Sequence, residues 1–210
     1  MAEVVALVDY GAGNLHSVAN ALKAAGCTAV TVTANPEVIR AADRIVLPGV
    51  GSFKACAEGL RAIPHLVEAM AERVLVGGAP FLGICVGMQL LATRGVEHGV
   101  TPGLDWIGGE VRLIERTDPA IKVPHMGWND VMTRPHAMPN SALIEPGEAY
   151  FLHSYHFVPD DGHHVLAMTD HGGGLVAAVG RDNMVGVQFH PEKSQAFGLA
   201  LLARFLEWKP

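Results

Sequence analysis

Cys85 stands between two glycines, Gly83 and Gly87, in the stretch FLGICVGMQ at 81–89. An apolar run of strand length reaches the cysteine, and an apolar segment of helical spacing follows it. Glycines two residues to either side permit a sharp strand-to-helix turn, the arrangement that exposes a nucleophile at the C-terminal end of a sheet. Backbone N–H groups and the dipole at the start of a helix favour a thiolate, the reactive form of cysteine. The bland alternative is a small buried cysteine in a glycine-tolerant turn, and this stretch alone does not decide between them. Far downstream, MVGVQFHPEKS at 184–194 is an apolar run that ends in His190, followed by Pro191 and Glu192. Pro191 suits the first position of a helix, which places His190 at a strand-to-helix junction on the same edge of a sheet. Ligands and chemistry in parallel α/β sheets collect along that edge. A cysteine nucleophile needs a base, and the base needs an orienting partner; His190 and Glu192 are of the right types.

The elements that must position these residues follow from periodicity. Val4–Val8 is a continuous β-branched and apolar run, the pattern of a strand buried on both faces. Residues 9–14, DYGAGN, break it, and an amphipathic helix over 15–25 follows, with Gly26 as its cap. The lone Gly11-Ala12-Gly13 lacks the third glycine and the placed acid of a dinucleotide site. A strand at 28–33, a short helix at 36–42 and a strand at 44–47 come next, then the loop PGVGSF at 48–53. Its glycines can turn backbone N–H groups into a concave donor site for an oxyanion, or can serve an ordinary loop. Helices at 53–61 and 64–74 precede the Cys85 strand. This alternation predicts an α/β fold with a doubly wound, mostly parallel sheet. The second half differs: 103–116 alternates, Pro, Gly and His punctuate 117–140, and short strands are expected at 149–152, 165–169, 175–180 and 184–189. That part reads as antiparallel, and a helix over 192–208 closes the chain. Without repeat or linker, residues 1–210 are expected to form a single domain.

Composition bounds the function classes. A net charge of −6 and a pI near 6.0 argue against a nucleic-acid or anionic-membrane partner. Half of the residues are hydrophobic and the mean hydropathy is +0.26, which predicts a large core and a partner surface as well. Three cysteines, Cys27, Cys56 and Cys85, have neither metal nor redox spacing, as in a reducing compartment. With no signal segment and no apolar run long enough to span a bilayer, the expectation is a cytoplasmic protein. The eleven histidines include no H-E-x-x-H and no companion cysteine pair, and the H-x-E at 190–192 lacks the P-C-x-x-C of zinc deaminases, so no metal is expected.

Three separated stretches, LPGVGSF, GICVGMQLL and HPEKS in this order, resemble the class I (triad) glutamine amidotransferases. The resemblance implies a flavodoxin-like α/β fold, glutamine as substrate and no cofactor. It implies that Cys85 attacks the side-chain amide, that ammonia leaves, and that water hydrolyses the γ-glutamyl thioester. His190 would be the base and then the acid, with Glu192 orienting it. The oxyanion would meet the N–H of Val86 and the Val50 to Gly51 part of the glycine loop. Val86 stands where many members carry leucine, a change that leaves its N–H in place. Gln89 and Glu97 match positions that hold the substrate amino acid, although Glu97 also reads as a solvated surface acid. DYGAGNLHS at 9–17, VPHMGWN at 123–129 and YFLHSYHF at 150–157 resemble the branch that serves histidine biosynthesis. There, the glutaminase passes ammonia through an internal channel to a (β/α)8-barrel cyclase subunit, giving a heterodimer. A barrel of about 250 residues does not fit in this chain, so the partner is separate. By this resemblance His153 and Ser154 join the substrate-binding candidates, and Asn14, Trp128 and Lys193 are candidate partner contacts. Trp128 as a core aromatic and Lys193 as a solvated helix-end charge are the plainer readings. Two alternatives stand beside this one: a subunit that feeds another synthase, such as that of pyridoxal phosphate synthesis, and a catalytically dead binding module that keeps the fold.

Overall fold

The computed structural model describes residues 3–116, 118–134 and 139–210. Strand β1 (Val4–Val8) is buried over its last four residues. Helix α1 (Leu15–Ala24) starts where the Asn14 side chain accepts from the Ser17 N–H, and Gly26, at φ 108°, turns the chain after it. β2 (Ala29–Thr33), α2 (Pro36–Ala41), β3 (Arg44–Gly49) and α3 (Phe53–Ala62) follow. Asn35 and Ser52 cap the two helices by accepting from Glu37 and Ala55 N–H groups, as short polar side chains do at helix starts. α4 (Leu66–Ala71) runs into a π-helical turn, Glu72–Val76, before β4 (Phe81–Cys85) and α5 (Val86–Gln89).

The second half holds β5 (Arg94–Gly95), β6 (Thr101–Pro102), β7 (Gly109–Leu113), β8 (His125–Thr133), β9 (Gly147–His153), β10 (Tyr155–Pro159), β11 (Val165–Asp170), β12 (Gly174–Arg181), β13 (Met184–Val187) and α6 (Gln195–Glu207). Among the described residues one sheet runs β2-β1-β3-β4-β13-β12-β11-β8-β9 and a smaller one β10-β7-β5-β6. From β2 to β13 the pairing in the large sheet is parallel, and from β13 to β9 it is antiparallel. The expected fold class is therefore present, and the two halves meet in one sheet. Strands β3 and β4 are buried along their whole lengths, which the continuous apolar runs require.

Four local expectations need correction. Pro, Gly and His punctuate 117–140 and no strand is expected there, yet β8 is a nine-residue strand within that stretch; residues 117 and 135–138 lie outside the described residues. Its Gly and His content hides the alternation, and pairing with β9 from His125↔His153 to Val131↔Gly147 supplies what propensity lacks. The helix after Cys85 is a single turn, so its dipole is weaker than a full helix would provide. The last helix begins at Gln195 instead of 192, because Pro191–Lys193 form a 3-10 turn and Gln195 has φ 49°. The glycines around Cys85 do not take the unusual backbone conformation themselves. Cys85 does, at φ 54° and ψ −112°.

Candidate active site

Cys85 ends β4 opposite Gly49 of β3, and His190 follows β13, the neighbour of β4 on its other side. Three adjacent parallel strands thus deliver the glycine loop, the thiol and the imidazole to one edge. The elbow needs glycine for closeness: a Cβ on Gly87 would run into the Leu47 carbonyl, and one on Gly83 would sit 2.7 Å from the Gly87 oxygen. The loop after β3 is tied down from below. Tyr10 Oη donates to the Pro48 carbonyl at 2.7 Å, and the Cys56 thiol to the Val50 carbonyl at 3.3 Å. Burial drives both Tyr10 and Cys56 to higher pKa, so they remain protonated donors.

His190 is buried, with Nδ1 2.8 Å from Glu192 Oε1, and it lines the same cleft as Cys85. Burial alone would lower its pKa. The neighbouring Cys85 and Glu192 groups outweigh burial and raise it to about 9. Ser194 Oγ donates to the His190 carbonyl at 2.7 Å and accepts from the Tyr150 N–H at 3.0 Å, which fixes the turn that carries the imidazole.

A cleft of about 320 Å³ opens over the thiol, lined by Val50, Gly51, Cys85, Val86, Gln89, Glu97, His153, Ser154, His190 and Lys193 among others, a size suited to a small molecule. Glu97 is half-buried, and its Oε2 accepts from the Phe53 N–H at 2.7 Å. It is therefore anchored at the start of α3 instead of standing free in solvent. Gln89 is buried and uses its amide nitrogen twice, toward the Tyr155 carbonyl at 2.9 Å and Gln188 Oε1 at 3.0 Å. Glu192 lies behind His190, with its Oε2 buried and unpartnered among the described residues. Asn14 and Trp128 do not line the cleft. Asn14 caps α1, and Trp128, read as a possible core aromatic, is 46% exposed on β8.

Sequence reasoning missed a polar chain behind the cleft. His153 donates from Nδ1 to the Tyr155 carbonyl at 2.9 Å, so its Nε2 accepts from His125 Nδ1 at 3.0 Å, and His125 Nε2 in turn accepts from Asn129 at 3.0 Å. Carbonyl acceptors at both ends fix every tautomer, because Asn129 also donates to the Asp170 carbonyl at 2.8 Å. Burial lowers the pKa of His125 to about 4 and of His153 to about 3. The His153 ring thus has no free nitrogen for a substrate. Among the described residues no cluster of His, Cys, Asp and Glu is placed to hold a metal ion. Gln188 was also missed. It sits two residues before His190, the spacing that puts both on one face of an extended segment, and a lone polar residue in an apolar run was its signal.

A nucleophile elbow beside a histidine–glutamate pair on a mixed doubly wound sheet is the ground plan of an amidotransferase. The family model for class-I glutamine amidotransferases matches residues 6–208, and the chain belongs to that family. At finer resolution, the chain is 59% identical over 208 residues to the protein of Zymomonas mobilis named imidazole glycerol phosphate synthase subunit HisH, covering 98% of this chain and 96% of that one. Proteins of the same name from Rhodospirillum rubrum and Caulobacter vibrioides are 56% and 51% identical, over 98% and 99% of this chain and 99% and 100% of theirs. In solved structures the fold is matched by a crystal structure of a glutamine amidotransferase, with a TM-score of 0.74 over 97% of each chain at 21% identity. It is also matched by PurLQS from Thermotoga maritima, with a TM-score of 0.68 at 16% identity, over 99% of this chain and 98% of that one.

Proposed function

We propose that this chain is the glutaminase subunit of imidazole glycerol phosphate synthase, acting through Cys85, His190 and Glu192 and passing ammonia to a separate (β/α)8-barrel cyclase. The observation that carries it is a strained Cys85 that shares a cleft with His190, itself paired with the buried Glu192, in a chain so similar to the named relatives. The Cys85 sulfur attacks the glutamine amide carbon, and the oxyanion that forms meets the N–H of Val86 and of the Val50–Gly51 loop. His190, which holds a proton through neutral pH, hands it to the departing nitrogen as the C–N bond breaks. Ammonia leaves and the thioester remains. Neutral His190 then takes a proton from water, the hydroxide adds to the thioester, and collapse expels the sulfur and gives glutamate. Glu97 offers its carboxylate to the α-ammonium. Both amide hydrogens of Gln89 are engaged, so it can only accept from the substrate, through Oε1. His153 meets the substrate through its backbone, since its ring is fully engaged, and Ser154 lines the cleft beside it.

The partner reading draws on the outer face of β8 and β9. Met126, Trp128, Met132 and Leu152 are 64%, 46%, 47% and 38% exposed there, a patch of the kind that marks an interface. Trp128 packs edge-on against Tyr150, over which Lys193 Nζ lies at 5.7 Å, and Lys193 and Leu152 also line the cleft. The cyclase would therefore cover the cleft's rim, with Asn14 in the same interface. The free thiols of Cys27, Cys56 and Cys85 favour a cytoplasmic setting, and the core shared by both halves favours one domain over 1–210.

The test is glutamate release by the full chain, alone and with the cyclase subunit and its nucleotide substrate. A large rise with both, lost in Cys85→Ala while ammonia still supports the cyclase, is the expected result. Hydrolysis surviving in Cys85→Ala would sink the reading. No rise with this cyclase would move the chain to another synthase.

A further inference from the structure

We propose that Gln188 is a catalytic residue: its side-chain amide donates a hydrogen bond to the Cys85 sulfur and stabilises that atom whenever it carries negative charge. The inference rests on Cys85 being the nucleophile and assigns the reaction a group that the triad does not contain.

Gln188 is fully buried, and its Nε2 lies 3.7 Å from Cys85 Sγ, a hydrogen-bonding separation for a large acceptor such as sulfur. Its orientation is dictated from the far side. Gln89 Nε2 faces two oxygens, the Tyr155 carbonyl and Gln188 Oε1. Turning the Gln188 amide over would set nitrogen against nitrogen and leave an oxygen facing the sulfur. The Tyr155 carbonyl is itself held by the His153 ring, so the sequence of donors and acceptors is locked back to β8. A buried amide N–H without an acceptor is destabilising, and here the acceptor is the thiol or thiolate sulfur.

The other groups around the sulfur do different work. His190 approaches as the partner in proton transfer. Tyr10 and Cys56 lie within electrostatic reach of Cys85, but their protons point to the Pro48 and Val50 carbonyls. Gln188 alone of these cannot titrate. It therefore stabilises charge on sulfur without competing for the proton that His190 must move. The same bond acts twice: it favours the attacking thiolate, and it favours sulfur as leaving group when water opens the thioester.

The experiment compares the full chain with Gln188→Met, which keeps length and volume but removes the donor, and Gln188→Glu, which keeps an acceptor for Gln89 but turns an oxygen toward sulfur. Two readouts are used: the rate of Cys85 alkylation by iodoacetamide, followed by mass spectrometry of its peptide, and kcat and KM for glutamine hydrolysis. A hydrogen bond to a charged group corresponds to roughly 10- to 100-fold. Alkylation rate and kcat should fall by about that much in Gln188→Met and further in Gln188→Glu, with KM changed less than about threefold. Gln89→Met, which removes the donor that holds Gln188 Oε1, should raise KM and slow alkylation by less than Gln188→Met does. A folded Gln188 variant that is alkylated and turns over at the parental rate overturns the proposal. If Cys85→Ala is inert in that case, the nucleophile stands and only the role of Gln188 falls. If Cys85→Ala still hydrolyses glutamine, the nucleophile assignment falls first.

Discussion

The site turns on one residue in an uncomfortable conformation. Cys85 has positive φ without being glycine, which costs on the order of 1–3 kcal/mol and persists only where packing enforces it. Here the enforcement comes from β3 and β13 on either side, with Gly87 packed onto the Leu47 carbonyl. His190 is the second unusual residue, a buried imidazole whose proton is retained up to about pH 9 because Cys85 and Glu192 oppose the effect of burial. A group raised above its ordinary 6.5 keeps its proton below the raised value and loses it above. Glutamine hydrolysis should therefore decline as pH rises through about 9, as the acid that protonates ammonia is lost. In Glu192→Gln that decline should move to lower pH, and kcat should drop by roughly a hundredfold or more. A pH–rate profile of both proteins checks this, and an unmoved alkaline limb would show that Glu192 does not hold the proton.

Among the elements, the β8–β9 pair carries both the outer apolar patch and the inner histidine chain. His125 stacks between the rings of Phe151 and His171, at centroid distances of 4.7 and 4.1 Å, while its two nitrogens join His153 to Asn129. Such a chain works only with neutral rings, since a second proton on His125 or His153 would set donor against donor. The pKa values of His125 and His153 lie below the ordinary 6.5, so in the acid range the unfolded chain takes protons first. Their contribution to stability is present above about 6.5 and is lost as pH falls toward 4. The melting temperature should fall by about 5 °C between pH 7 and pH 5. His125→Phe, less stable at neutral pH for want of its hydrogen bonds, should show a shallower fall. Parallel slopes in the two proteins would remove the histidine chain as the cause.

For the whole molecule, the acidic balance and the exposed aromatic and methionine side chains point in one direction. A net charge of −6 gives no electrostatic footprint for nucleic acid, and among the described residues no helix is long and apolar enough to cross a membrane. What the surface does offer is the β8–β9 face beside the cleft. A tryptophan at the centre of such a patch is the residue type that carries binding energy. Trp128→Ala should weaken cyclase binding by roughly thirtyfold, equivalent to about 2 kcal/mol, with little change in the melting temperature of the isolated chain. Calorimetric titration of the two subunits measures it. Unchanged affinity would move the interface elsewhere.

Much of this protein was legible in its linear order. β-branched runs, helix caps and glycine breaks are local signals, so β1, α1, α2, β3 and α3 fall within two residues of where periodicity places them. Cys85, His190 and Glu192 stood out because a nucleophile, a base and an acid at strand ends are rare combinations. Other features depend on contacts between distant segments and had no local signature. Gln188 meets Gln89 across a separation of 99 residues, and Glu97 reaches Phe53 across 44. The length of β8 depends on its pairing with β9, and the conformation of Cys85 on the strands packed beside it. Residue types and their spacing determined which chemistry was available. Strand register and close packing, which act only once the sheet has formed, decided which atoms face the sulfur.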